Sequence, residues 1–169
     1  MPVTQAADLL QALADSPNRQ GERPQTTRPI PHQQLNQIAP VPLQQELKAN
    51  INNLPGVALR ITGSSLTGSE GWFLDASAAK TGGPTAFNVA LEFGHSHTPT
   101  EGSTHMFLLP AYAQIVLDKS WGELHANTDQ IAGTNSRYIM VYGPRDSREL
   151  SVVWLAIQAS YAFATGQIE

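Results

Sequence analysis

The sequence predicts a single α+β domain: a mainly antiparallel β-sheet with helices packed on one face, preceded by a Pro/Gln-rich N-terminal arm. Three observations lead there. Four short strand-like segments follow one another with no helix between them, apolar helical stripes stand on either side of this region, and prolines crowd residues 16–42. Strands that succeed each other through short turns pair antiparallel, and amphipathic helices then cover the apolar face of the sheet. At 169 residues and 41% apolar composition the chain is long enough for one domain with a real core.

The segment VTQAADLLQALA (3–14) has helical composition, with Leu9, Leu10 and Leu13 on one side. From Ser16 to Pro42 there are six prolines and few large apolar groups, which reads as a linker, an arm lying on the domain or a poorly ordered tail. His32 falls in it and is expected to face solvent. The division is therefore 1–41, helix and arm, and 42–169, the α+β domain. Leu43, Leu47, Ile51 and Leu54 recur at helical spacing, and Pro55-Gly56 ends that helix. Val57, Leu59 and Ile61 alternate with polar or small neighbours as a strand does, and GWFLD (71–75) is a second strand. Residues 76–86, rich in small side chains, are expected to form a flap over a pocket.

Phe87, Val89, Leu91 and Phe93 form the inward set of a third strand, and His95 and His97 continue that face. Glu92 then points the other way unless a bulge intervenes, for which Gly94 is the natural place. TPTEGST turns the chain and HMFLL (105–109) returns, bringing His105 beside the end of the previous strand. Pro110 opens a helix through Trp121, GELHA (122–126) supplies Glu123 and His125, and RYIMVYGPR (137–145) is the last strand. Asp146 with Glu149 three residues on is a capping pattern for a final helix with Leu150, Val153, Trp154, Ile157 and Tyr161 on its apolar face.

Three of the five histidines thus fall within residues 95–105. Residues two apart on a strand point the same way from Cα atoms ~6.7 Å apart, so they can converge on one ion, with His105 or His125 completing the set. An H-x-H on a strand is also what cupin-type metal sites use, although here Glu101, four beyond His97, falls in the turn. The same residues suit metal-free acid/base catalysis. Glu92 or Glu123 would orient an imidazole, Arg145 would hold an enolate, carboxylate or carbonyl oxygen, or else simply pair with Glu149 or cap a carbonyl, and Trp72, Phe93, Phe107, Tyr142 and Trp154 would wall an apolar pocket. A non-catalytic small-molecule binder fits as well. The candidate site residues are His95, His97, His105, His125, Glu92, Glu123 and Arg145.

With no cysteine, disulfides, thiolate zinc sites and catalytic thiols are excluded. A net charge of −4 gives no reason to expect nucleic acid or an anionic membrane, and no apolar run is long enough to span a bilayer. The expected protein is soluble and cytoplasmic, with an apolar small-molecule substrate. It needs no cofactor on the acid/base reading and a His-ligated transition metal on the other; homo-oligomerisation is left open.

The blocks LEFGHSHTPTEGSTHMFLLP (91–110), WGELHA (121–126) and MVYGPRDSRELSVVWLAIQASYAFATG (140–166) resemble the luciferase-domain family, a group unrelated to the flavin-dependent luciferases. The resemblance covers the C-terminal half. Its name implies oxygen-dependent light emission, and site roles carry over only onto His95, His97, His105, Glu123, His125 and Arg145.

Overall fold

A computed structural model describes every residue except 29, 64, 66, 67, 81–84 and 133. The expected flap at 76–86 therefore falls partly outside the described residues. After a 3-10 turn at Ala6–Asp8 the elements are α1 (Leu9–Asp15), α2 (Val41–Asn52), β1 (Val57–Ile61), β2 (Glu70–Leu74), β3 (Glu92–Ser96), β4 (Thr104–Leu108), α3 (Pro110–Asp118), β5 (Gly122–Leu124), α4 (Thr128–Ile131), β6 (Arg137–Val141) and α5 (Ser147–Ala164). The six strands form one sheet in the order β1-β2-β3-β4-β6-β5, antiparallel throughout. The α+β reading holds.

Helix α5 begins as its sequence requires. The Asp146 side chain accepts from the backbone N–H of Arg148 and Glu149, while Glu149 turns back to accept from Arg145 N–H. The helix packs on β3 and β4 and is buried almost all round. The reason lies at the N-terminus: Thr4 N–H donates to Gln158 Oε1 and Trp154 Nε1–H to the Pro2 carbonyl, so residues 2–15 cover the side of α5 turned away from the sheet. Leu9 and Leu13 are buried there, whereas Leu10 points outward.

The other face of the sheet carries the polar residues, and the arm covers them. Residues 17–39 are pinned by Trp121 Nε1–H to Pro17 O at 2.8 Å, Arg19 N–H to Lys119 O at 2.9 Å, Gly143 N–H to Gln34 Oε1 at 2.9 Å and Ala39 N–H to Glu101 O at 3.1 Å. His32, expected in solvent, is only 2% exposed. Proline richness removes helix and strand but does not prevent docking when the partners are side chains and carbonyls of the domain.

The third strand is shorter than its alternation suggested. Asn88 N–H donates to Glu92 O and Glu92 N–H to Val89 O, Ala90 has φ 51°, and Val89 is 45% exposed, so 88–91 is a turn. β3 itself carries the bulge. Trp72 pairs with Gly94 and Phe73 with Glu92, so β3 takes two steps for one on β2. The extra residue re-phases the strand and puts Glu92 on the same face as His95. β5, only three residues long, was not foreseen as a strand.

Candidate functional site

The bulge and the hairpin together build the site. Because β3 and β4 pair with His95 directly opposite His105, the two imidazoles meet on the polar face. His97 follows two residues after His95, β5 ends just before His125, and the arm delivers His32. All five histidines of the chain are buried and line one cavity of about 380 Å³. His105 is the hub, its ring centroid 4.7–5.5 Å from those of the other four.

Carboxylates stand behind three of them. Glu92 Oε1 lies 2.9 Å from His95 Nδ1, Glu101 Oε1 lies 2.5 Å from His97 Nδ1, and Glu123 Oε1 lies 2.5 Å from His32 Nε2. A carboxylate accepts only, so in each pair the imidazole nitrogen facing it donates its N–H, and in a neutral ring the opposite nitrogen keeps its lone pair. His95 Nε2 uses that lone pair toward His105 Nδ1 at 3.2 Å, and Ser65 Oγ lies 2.9 Å from His97 Nε2. His125 Nδ1 accepts from Asn127 N–H at 3.1 Å. Two buried nitrogens, His105 Nε2 and His32 Nδ1, have no hydrogen-bond partner among the described residues.

Burial sets the charge state. It pushes the pKa of His105 well below the usual imidazole value, helped by the neighbouring histidines, and lowers that of His95 against the opposing pull of Glu92. The pKa of His125 falls to about 4, mainly through burial. These three rings are neutral near pH 7 and are available as bases or ligands. Burial also disfavours the Glu123 carboxylate. The bonds it receives from His32, Arg23, Tyr142 and Thr26 outweigh that and hold it well below the ordinary carboxylate range. Tyr142, buried beside that carboxylate, is pushed up to about 12.

Six of the seven sequence candidates therefore come together: Glu92, His95, His97, His105, Glu123 and His125. Arg145 does not. Its Nε donates to Glu149 Oε1 at 2.8 Å, and its other nitrogens reach Glu149, Gln20 O and Gln37, away from the histidines. The expected aromatic walls also lie elsewhere. Trp72 and Phe93 pack on each other, Phe93 packs on Tyr161 of α5, and Trp154 reaches the Pro2 carbonyl. Apolar wall comes instead from Ile30, Pro31, Ile131 and Tyr138. Sequence reasoning missed His32 and undervalued Glu101; for Glu101 the i+4 spacing from His97 across a turn was the available signal, and for His32 there was none.

The fold and site define a class: a small α+β domain whose histidines are gathered into one carboxylate-backed cavity. Residues 90–160 match the model of the family described as the luciferase domain. It is 31% identical over 169 residues to a luciferase of Armillaria gallica and 30% identical over 168 residues to one of Armillaria mellea. A luciferase of Neonothopanus nambi is 26% identical over 168 residues. Each comparison covers 90% of this chain and 62% of the relative, so the chain spans less than two thirds of the length of these curated relatives. No solved structure matches. Among the described residues no helix is long and apolar enough to cross a membrane.

Proposed function

We propose that the chain is an enzyme acting on a small apolar organic molecule in the histidine cavity, and that it moves a proton through the relay Glu92–His95–His105. One observation carries this reading. The series runs from Glu92 to His95 Nδ1 at 2.9 Å and from His95 Nε2 to His105 Nδ1 at 3.2 Å, and it ends at His105 Nε2, a buried nitrogen with no hydrogen-bond partner among the described residues, on a ring that lines the cavity. With Glu92 accepting from His95 Nδ1–H, His95 Nε2 must accept from His105 Nδ1–H, and His105 Nε2 is left as the base. A proton taken up there is stabilised through the relay by the carboxylate, much as a buried aspartate supports a catalytic histidine. The second oxygen of Glu92 accepts from Thr62 Oγ1 at 2.5 Å, which fixes the carboxylate.

Proton removal serves cyclisation, isomerisation or elimination. It also makes an organic substrate electron-rich enough to meet dioxygen, so the relay is compatible with the activity for which the relatives are named. Such a base contributes ~10²–10⁴-fold. The luciferin used by the Armillaria enzymes is the first substrate to test, with light emission and oxygen uptake as readouts, followed by other apolar compounds with an acidic C–H or O–H. His105→Asn and Glu92→Gln are expected to lower turnover by about 10²–10⁴-fold and about 10²-fold respectively, with binding kept. Native turnover by both variants would remove the relay from the mechanism. Tight binding without conversion in air would place the chain among binding proteins.

A further inference from the structure

We propose that His95, His97 and His105 form a binding site for one divalent first-row transition ion, held by His95 Nε2, His97 Nε2 and His105 Nδ1. One nitrogen from each of these residues lies within 4.8 Å of the others. The His95 Nε2 to His105 Nδ1 separation is 3.2 Å. Two imidazole nitrogens bound at ~2.0–2.1 Å to one ion with an angle between octahedral and tetrahedral stand roughly 2.8–3.4 Å apart. The closest pair is already at ligand spacing.

The outer nitrogens are those that a metal site needs. Histidine ligands donate their second N–H to a carboxylate or carbonyl, which fixes the tautomer and raises ligand basicity. His95 does so to Glu92 and His97 to Glu101, so both present an Nε2 lone pair inward. For His105 the ion takes the place of the proton now shared with His95, and that proton moves to Nε2. No net proton is released. The move makes His105 Nε2 a donor; the other buried histidine nitrogen without a partner among the described residues is on His32, whose ring centroid is 5.5 Å away. The Ser65 hydroxyl, 2.9 Å from His97 Nε2, has to turn aside. Three neutral imidazoles without thiolate suit zinc, cobalt, nickel, copper or iron, with the remaining coordination positions toward the cavity.

A second group, His32, His105 and His125, also has nitrogens within 4.8 Å of one another. It is the weaker set, because His125 Nδ1 accepts from Asn127 N–H, which places the His125 proton on Nε2.

The proposal does not rest on the relay: the ion-bound form carries the proton on His105 Nε2 and so excludes the relay, and uptake of an ion is measured without substrate. The purified chain, stripped with chelator and dialysed, is titrated with Co²⁺ by visible absorption and with Zn²⁺ by calorimetry. One equivalent is expected to bind saturably, with cobalt bands typical of nitrogen ligation. His97→Ala is expected to lose at least 100-fold in affinity, Glu101→Gln 10–100-fold, and His125→Ala nothing. Circular dichroism establishes that each variant is folded; if His97→Ala is not, Glu101→Gln, which keeps the side-chain volume, decides. Absence of saturable uptake by the native chain would overturn the proposal. So would full affinity in Glu101→Gln, or loss in His125→Ala with retention in His97→Ala, which would move the ion to the other group.

Discussion

At the scale of single side chains, residue type and spacing leave Arg145 two roles, an oxygen holder or a partner of Glu149, and the structure shows the second. A guanidinium at the end of a strand beside a helix start is a good oxyanion holder, but here its N–H groups are spent on Glu149, Gln20 O and Gln37. It fastens the arm to the start of α5. Arg145→Lys is therefore expected to leave turnover unchanged and to lower stability by on the order of 0.5–1 kcal/mol, since the pair is partly solvated and only the forked geometry is lost. Chemical denaturation alongside a rate measurement checks this; a large rate loss at unchanged stability would return Arg145 to the site. Glu123 is the opposite case. Sequence suggested that it orients an imidazole, and it does, but the imidazole is His32 rather than His125, its neighbour two residues on.

At the scale of elements, the local signals worked where an element is held by its own sequence and failed where a distant partner decides. α2, α3, α5, β1, β2 and β4 lie close to where apolar spacing, proline and capping residues placed them. The period-two run Phe87–Phe93 looked like strand, yet the regular ladder begins only at Glu92, because the turn at 88–91 is stabilised by bonds that side-chain alternation does not encode. The arm was legible as proline-rich but not as a wall of the site. What docks it are partners about a hundred residues away, such as Arg23 with Glu123 and Tyr142. The bulge was legible because glycine in a strand has few other reasons to be there. A Cβ on Gly94 would stand 2.6 Å from the Trp72 ring and 2.8 Å from the His105 carbonyl oxygen. Gly94→Ala is accordingly expected to cost about 1–3 kcal/mol and to disturb the alignment of Glu92 with His95. A thermal or urea midpoint within experimental scatter of the native protein would show that the strand yields without cost.

For the whole molecule the sheet separates two environments. One face is an apolar core shared with α5, and the other is a buried polar layer closed by the arm, into which every histidine is turned. Burying neutral imidazoles ties stability to pH. His95, His105 and His125 have folded-state pKa values below the ordinary imidazole value, His125 at about 4, so the unfolded chain binds their protons more readily. Their contribution is fully present above about pH 6.5 and is lost as pH falls through the interval down to the folded-state values, each group giving a slope of up to about 1.4 kcal/mol per pH unit. Glu123, whose folded-state pKa is also depressed, acts in the same direction but only lower, once pH falls below the ordinary carboxylate value of about 4.3. The decline should therefore begin near pH 6.5, in the histidine range, well before the carboxylates titrate. Urea midpoints at pH 8, 7, 6 and 5 are expected to be level between 8 and 7 and to fall progressively below, and His125→Asn is expected to make the fall shallower by one group's share. A midpoint that stayed level from pH 7 to pH 5 would mean that the cluster takes up protons as easily folded as unfolded, and the neutral cavity inferred from its burial would be wrong.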